Sequence, residues 1–243
     1  MADAESIVHG VLASAFPGKK IRQQQAFTRA GMSPEELVRL YELVTGSGAS
    51  NVLEVGMGSG TSSVVMLTAL AQTGGKLTSV DPFQSSSFAG AGRGVITQAG
   101  HSDRHRLIEL PDYVALPQLL SSGERFDMVL VDGYHSFDYT LVDVFYADLL
   151  LRKDGILAVH DSSWPAVLAS LQFLEAHKPY QRVSPPPFVR HNDVIRKAVR
   201  RVRVYFSGAA AVRQFNDRRR NWHTLAAYRK LADQMAPEFD LEI

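Results

Sequence analysis

The decapeptide Asn51 to Gly60, NVLEVGMGSG, constrains this chain more than any other stretch. The apolar pair Val52 and Leu53 leads through Glu54 and Val55 into glycines at 56, 58 and 60, followed by Thr61, Ser62 and the apolar run Val64 to Leu67. This order predicts a strand, a tight turn and a helix. Gly56 permits a sharp turn, Gly58 lets backbone approach a ligand closely, and Gly60 lets the helix pack tightly on the strand. The helix N-terminus then faces the ligand. A glycine-rich turn alone serves dinucleotides, phosphates and nucleosides alike, and in its blandest form merely joins a buried strand to a helix. Glu54 narrows the choice, because a carboxylate two residues before the first glycine repels a pyrophosphate and suits a cationic aminoacyl group.

The rest of the chain supports one α/β domain with appendages. Its 243 residues are enough to bury about three quarters of the unfolded surface in a single core. Net charge is +1, from 26 basic and 25 acidic residues, so no global field draws the protein to nucleic acid or to a membrane. The absence of cysteine excludes disulfides, thiolate metal sites and cysteine nucleophiles. The N-terminal stretch MADAESIVHGVLASAF lacks a basic n-region and a long apolar h-region, and no apolar run approaches the ~18 residues of a membrane span. A soluble, cytoplasmic protein is expected.

In chain order, Ala4 to Ala15 reads as a short helix ended by Phe16-Pro17-Gly18. Ser33, Pro34 and Glu36 form an N-cap, a first-turn proline and a capping-box partner, opening an amphipathic helix through Thr45 on Leu37, Leu40, Tyr41 and Val44. Lys76 to Val80 is a second strand, closing on Asp81-Pro82-Phe83, and an acid about 20 residues past the glycines is placed to hold ribose hydroxyls. Gln84 to Gly94, rich in Ser, Ala and Gly, reads as a mobile loop over the site. Arg106 to Leu110 is a third strand; Asp112 after it either accepts from an adenine amino group or caps the helix Tyr113 to Leu120. Phe126 to Val131 is a doubly buried central strand ending in Asp132-Gly133-Tyr134-His135. A helix from Thr140 to Leu151, a strand Ile156 to Val159, a helix Trp164 to His177 and a short strand Tyr180 to Val183 follow.

This alternation predicts a Rossmann-like, doubly wound, mostly parallel seven-stranded sheet with helices on both faces, plus a helical C-terminal extension. The expected parts are an N-terminal helical cap (1–45), a cofactor-binding core (46–184) and a basic extension (185–243). His191 to Lys230 is strongly basic and mostly helical in pattern, reading as a solvated face or subunit contact, or as a surface for an anionic substrate or carrier. Its amphipathic helices offer a homodimer surface. Phe239 to Ile243 alternates apolar and acidic residues and suggests a final edge strand. The tail lacks interleaved stacking aromatics, so nucleic acid is not an expected partner.

Strands four and five neighbour strand one in such folds, so Asp132, His160 and Asp161 are expected to converge beside the ligand. Oxygen and imidazole donors suit Mg, Mn, Fe or Zn, and such a cation lowers the pKa of a coordinated hydroxyl. His135, three residues past Asp132, is either a general base or a turn residue bonded to backbone; histidine has an ordinary pKa of about 6.5.

The stretch Val52 to Gly60 resembles motif I of the class I S-adenosylmethionine-dependent methyltransferases, apolar-apolar-Glu-x-Gly-x-Gly-x-Gly, and the acid disfavours NAD. VDGYHSF, then Asp143 and LLLRKDGILAVHD, resembles the cephalosporin hydroxylase-like and macrolide sugar O-methyltransferases, methyltransferase domain family 24. More distantly it is similar to catechol and caffeoyl-CoA O-methyltransferases. There, an acid after strand four and an Asp-Asn pair after strand five bind metal, and a lysine three residues past the first acid is the base. The resemblance puts His160 on the Asp, Asp161 on the Asn, Trp164 on the Trp and His135 on the lysine. It departs at His160, which replaces a carboxylate, and at Asp154, which precedes Gly155 where a glycine stands in the family.

The resemblance implies S-adenosylmethionine held by Glu54, Gly56, Gly58, Gly60, Thr61, Ser62, Asp81, Pro82, Phe83, Asp112, Asp132 and Tyr134, with a divalent metal on Asp132, His160 and Asp161. It implies O-methylation of a small natural product or sugar, His135 acting as base. Two alternatives stay open: metal-free methylation of an amine or carboxylate, and a donor-binding cyclase or partner subunit that does not methylate.

Overall fold

The computed structural model describes residues 3–16, 31–184 and 224–233. The helices are α1 (Ala4–Ala15), α2 (Pro34–Ser47), α3 (Thr61–Leu70), α4 (Ala91–Gln98), α5 (Asp112–Ser121), α6 (Phe137–Leu150) and α7 (Pro165–His177). The strands are β1 (Asn51–Val55), β2 (Lys76–Val80), β3 (His105–Ile108), β4 (Phe126–Val131), β5 (Leu151–Val159), β6 (Tyr180–Arg182) and β7 (Ala226–Lys230). They form one seven-stranded sheet in the order β3-β2-β1-β4-β5-β7-β6. The first five in that order run parallel; β7 is antiparallel to both of its neighbours.

Strand alternation sorts the core into two layers. Val52, Met128, Leu130, Ile156, Ala158 and Ala227 face the layer built from α1, α2, α3 and α4. Leu53, Val55, Val129, Val131, Leu157, Val159, Ala226 and Tyr228 face the layer built from α5, α6 and α7. Every one of these side chains is buried, so both faces of the sheet are dry, as a doubly wound sheet requires. The order of the strands reverses between β1 and β4, which opens a crevice at their carboxyl ends.

The capping box is present: Ser33 Oγ accepts from Glu36 N at 3.3 Å while Glu36 Oε2 accepts from Ser33 N at 2.9 Å, and Gly48 in a left-handed conformation closes α2. Three readings of the sequence change. Residues 91–94, expected as the end of a loop, instead begin α4, a helix that Gly90 opens at φ 74°. Strand β5 starts five residues early, at Leu151, and bulges: Phe126 pairs with Leu151 but Met128 with Ile156, leaving three extra residues around the left-handed Asp154. Helix gives way to strand at Ala226–Lys230, and this strand is inserted inside the sheet, so that among the described residues β6 takes the edge.

The basic run from His191 to 223, the triproline and the expected edge strand at Phe239 to Ile243 lie outside the described residues. Among the described residues no helix is long and apolar enough to cross a membrane.

Candidate active site

At the carboxyl end of β1 the chain turns through Gly56, at φ 89°. A Cβ there would stand 2.1 Å from the carbonyl oxygen of Asp132, so only glycine lets the exits of β1 and β4 lie in contact. Two backbone bonds lock the crossing, Gly56 N to Val80 O at 2.9 Å and Asp132 N to Val55 O at 2.8 Å. Gly60, at φ 80°, caps α3 without a side chain, and a Cβ on it would stand 2.8 Å from Gly92 Cα. The uncapped first turn of α3 therefore opens toward the crevice.

That crevice is a cavity of about 800 Å³ lined by Gly56, Met57, Gly58, Ser59, Thr61 and Ser62 from the glycine turn and by Asp81, Pro82 and Phe83 after β2. Pro111, Asp112 and Tyr113 after β3, and Asp132, Gly133, Tyr134 and His135 after β4, complete its floor, with Met32, Phe88 and Tyr139 at its walls. Most of the residues named for a nucleoside ligand are thus brought to one place.

Glu54 and Gly60 are not among the lining residues. Glu54 is fully buried, and its oxygens accept from Ser62 Oγ at 2.5 Å, Ser63 Oγ at 2.6 Å and Ser79 Oγ at 2.6 Å. Burial pushes this carboxyl up to about 7, against the pull of the three hydroxyls. Its place is a buckle between β1, β2 and the first turn of α3; Ser62, which it grips, is the group that meets the cavity. Asp81 does line the cavity. Its Oδ2 accepts from Met57 N at 3.1 Å, Gly58 N at 2.7 Å and Gln84 Nε2 at 3.1 Å, and its Oδ1 from Phe83 N at 2.8 Å. This leaves room on Oδ1 for one further donor.

Gln84 is a part of the site that the sequence hid. Fully buried, it also donates to Gly58 O at 2.7 Å, tying the segment after β2 to the glycine turn. Asp112 lines the cavity but does not cap the helix: Pro111 is the N-cap, Asp112 is the first residue of α5, and its Oδ1 accepts from the adjacent Tyr113 N at 2.7 Å. The rings of Tyr113, Tyr134 and Tyr139 form a wall beside it, with centroid separations of 6.2 Å and 5.4 Å about Tyr139.

Asp132 is the hinge of the polar floor. Its Oδ1 lies 3.1 Å from His135 Nε2 and 2.9 Å from His160 Nδ1. His160 turns its other ring nitrogen toward Glu36 Oε2 at 3.5 Å, and Glu36 Oε1 accepts from Thr224 N at 2.8 Å and from the Thr224 hydroxyl. Asp161 Oδ2 stands 3.6 Å from His135 Nε2. Two residues here carry left-handed backbone, His135 at φ 62° and Asp161 at φ 51°, conformations that non-glycine residues hold only under tertiary constraint. Trp164 packs its ring 5.3 Å from that of His135.

The electrostatics follow from burial among opposite charges. Burial alone would lower the affinity of His160 for a proton, but Asp132 and Glu36 outweigh it and raise the ring well above its ordinary value. Burial would raise Asp132, yet His160 and His135 hold it below the usual carboxylate range. Asp161 is raised, by burial first. Glu36, despite burial, is brought down to about 2 by His160, Thr224 and the Ser33 backbone. In the sequence Glu36 carried only a helix-cap signal; nothing local announces that its carboxylate reaches the end of β5.

The atoms of Asp132, His135 and His160 that can bind a metal lie within 4.8 Å of one another. Oxygen and nitrogen donors with no thiolate fit a hard or borderline divalent cation. The set differs from the expected one, since His135 takes the position assigned to Asp161. Among the described residues this is the one group of three such donors.

Residues 53–162 match the model of a methyltransferase domain family. The sequence matches no curated protein. Among solved structures the fold is similar to the O-methyltransferase from Bacillus cereus in complex with SAH, with a TM-score of 0.61, 18% identity, and 77% of this chain and 86% of that chain covered. It is similar to the O-methyltransferase TomG from Streptomyces achromogenes, involved in tomaymycin synthesis and solved with SAM, with a TM-score of 0.59, 20% identity and coverage of 79% and 86%. A cofactor-bound protein from MTB is similar over 94% of this chain and 98% of that chain, with a TM-score of 0.62 and 17% identity. The resemblance to class I methyltransferases is thereby borne out for the segment from β1 to the turn after β5, and the fold for the whole described chain.

Proposed function

We propose that the protein is an S-adenosylmethionine-dependent O-methyltransferase acting on a hydroxyl of a small molecule. The observation that carries this reading is one cavity shared by the glycine turn, the acid after β2 and the Asp132–His135 pair, so that donor and proton acceptor face the same space. The bound sulfonium supplies an electrophilic methyl group. Glycine-turn backbone and the open first turn of α3 would take its aminoacyl end, Asp81 Oδ1 a ribose hydroxyl, and the tyrosine wall its base.

His135 would take the proton of the acceptor hydroxyl as the oxygen bonds to the methyl carbon and the carbon–sulfur bond breaks, its electron pair returning to sulfur to leave neutral S-adenosylhomocysteine. Asp132 Oδ1 beside Nε2 fixes the tautomer with its hydrogen there, leaving Nδ1 as the accepting nitrogen. Asp132 also stabilises the imidazolium that results. Phe83, Phe88 and Tyr134 line the cavity and reduce the water that competes for the methyl group.

A second reading is favoured by the closeness of the three donor atoms. Asp132, His135 and His160 would hold a divalent cation, which would lower the pKa of a substrate hydroxyl in place of a histidine base. Calorimetric titration of S-adenosylhomocysteine into wild type and Asp132→Ala, with EDTA and then with added Mg or Mn, tests both. Binding of S-adenosylhomocysteine that survives Asp132→Ala supports a separate donor site. Turnover of hydroxyl acceptors by metal-stripped enzyme supports His135 as base, and turnover only with metal supports the second reading. Absence of S-adenosylhomocysteine binding to wild type overturns the methyltransferase reading itself.

A further inference from the structure

Asp143, on α6, has no part in the chemistry described so far. It is 1% exposed, yet no N–H or O–H donor among the described residues serves its Oδ1. Its Oδ2 stands 3.0 Å from the place a Cβ on Gly133 would occupy, so the carboxyl group lies directly behind the turn that floors the cavity. The group that faces it is another acid, Asp112, to which it is hydrogen-bonded. Asp112 opens α5, is itself buried, and lines the cavity beside Tyr113.

Two carboxyl groups in contact and out of water do not both ionise, because neither desolvation nor mutual repulsion is compensated. One proton held between them removes both costs. Asp112 Oδ1 already accepts from Tyr113 N, while among the described residues no N–H serves Asp143 Oδ1, so the shared proton sits on Asp143. Burial first, and then the charge and hydrogen bond of Asp112, raise Asp143 well above the ordinary carboxylate range, in the same sense. Asp143 is then the donor and Asp112 the acceptor. With Oδ1 taken by Tyr113 N and its partner acid behind it, Asp112 is held in one orientation at the cavity wall.

We infer that Asp143 is a positioning residue for nucleobase recognition: by sharing one proton with Asp112 it holds that carboxylate as an acceptor for the exocyclic amino group of the bound nucleoside. The inference rests on the donor-binding reading above and extends it from which ligand is bound to how the base is told apart. An amino group at the purine 6-position satisfies a fixed acceptor; a carbonyl oxygen there meets it with repulsion, and a site built for a donor penalises its absence.

The test compares binding of S-adenosylhomocysteine with that of S-inosylhomocysteine, which carries oxygen in place of the amino group, by calorimetry on the full-length protein. Wild type is expected to prefer the adenosyl compound by about tenfold or more, one good hydrogen bond's difference. Asp143→Asn, whose amide N–H still donates to Asp112, is expected to keep that preference. Asp143→Ala is expected to bring it to within about threefold, chiefly by weakening the adenosyl compound.

Equal weakening of both ligands by Asp143→Ala, with the preference intact, would mean a merely structural role and would overturn the inference. So would loss of the preference in Asp143→Asn, since proton sharing would not then be what matters. Wild type that binds the adenosyl compound without preferring it sinks the inference alone, while wild type that binds neither sinks the methyltransferase reading with it.

Discussion

His160 spans two carboxylates, with Nδ1 2.9 Å from Asp132 Oδ1 and Nε2 3.5 Å from Glu36 Oε2. A residue of the helix before β1 is thereby linked to the floor of the cavity through the end of β5. Glu36 also holds Thr224 ahead of β7, so three distant segments meet on one buried side chain.

Removing that carboxylate strands several donors. Glu36→Ala would leave the Thr224 N–H, the Ser33 N–H and a charged imidazole without their acceptor, and a loss on the order of 3 kcal/mol is expected. Glu36→Gln keeps a neutral acceptor and should lose less. Urea unfolding of the two variants checks this, and equal midpoints for Glu36→Ala and wild type would refute it.

Replacement of His135 by Ala should lower turnover by a factor of about 10² to 10⁴ if it is the base, with little change in S-adenosylhomocysteine affinity. A parallel fall in affinity would instead make it part of the donor cradle. The two quantities come from initial rates on an acceptor that turns over and from calorimetry.

Gly56→Ala places a methyl group 2.1 Å from a backbone oxygen, at a φ of 89°. The clash is with main chain and cannot be relieved by rotating a side chain, so destabilisation of roughly 3 kcal/mol or more is expected, with loss of donor binding. Gly46→Ala, where nothing lies within 4 Å of the added carbon, is the control and should unfold within about 1 kcal/mol of wild type.

Stability should depend on Glu54 between about pH 4.5 and pH 7. Its carboxyl is raised in the folded state from 4.5 to about 7, so the fold favours the protonated form. That contribution is complete below pH 4.5 and is lost as pH rises through 7; the full span is on the order of 3 kcal/mol. Glu54→Gln, neutral throughout, should lack this slope. Thermal melts of both proteins across that interval, differing by a constant, would show that Glu54 titrates as it does in the unfolded chain.

What the sequence displayed was whatever depends on near neighbours. The capping box at Ser33 and Glu36, the glycines after β1 and the unbroken apolar run of β4 each carry their instruction within a few residues, and each stands where it was expected. Strand β7 does not. Ala226, Ala227 and Tyr228 are fully buried, but Arg229 and Lys230 give the segment the look of the basic run before it. Lys230 is buried because its Nζ donates to Asp148 O at 2.7 Å and Leu151 O at 2.9 Å, carbonyls supplied by α6 and β5, and pairs with the nearby Asp233 at 2.9 Å. The same holds at the site. Asp81, Asp132 and His135 follow strand ends and were legible there; the reach of Glu36, the anchoring by Gln84 and the facing of Asp143 to Asp112 are tertiary facts without a local pattern.

The insertion of β7 between β5 and β6 also fixes an order of assembly. Among the described residues strand β6 pairs only with β7, which is made more than forty residues later on the ribosome. Until residues 226–230 emerge, β5 presents a bare apolar edge that is a template for pairing with another chain, and Thr224 is not yet at Glu36. Nascent chains halted before that point should be the aggregating species and should lack the Glu36–Thr224 contact behind the cavity floor, so release of β7 is the step at which the sheet edge is covered and that floor is completed.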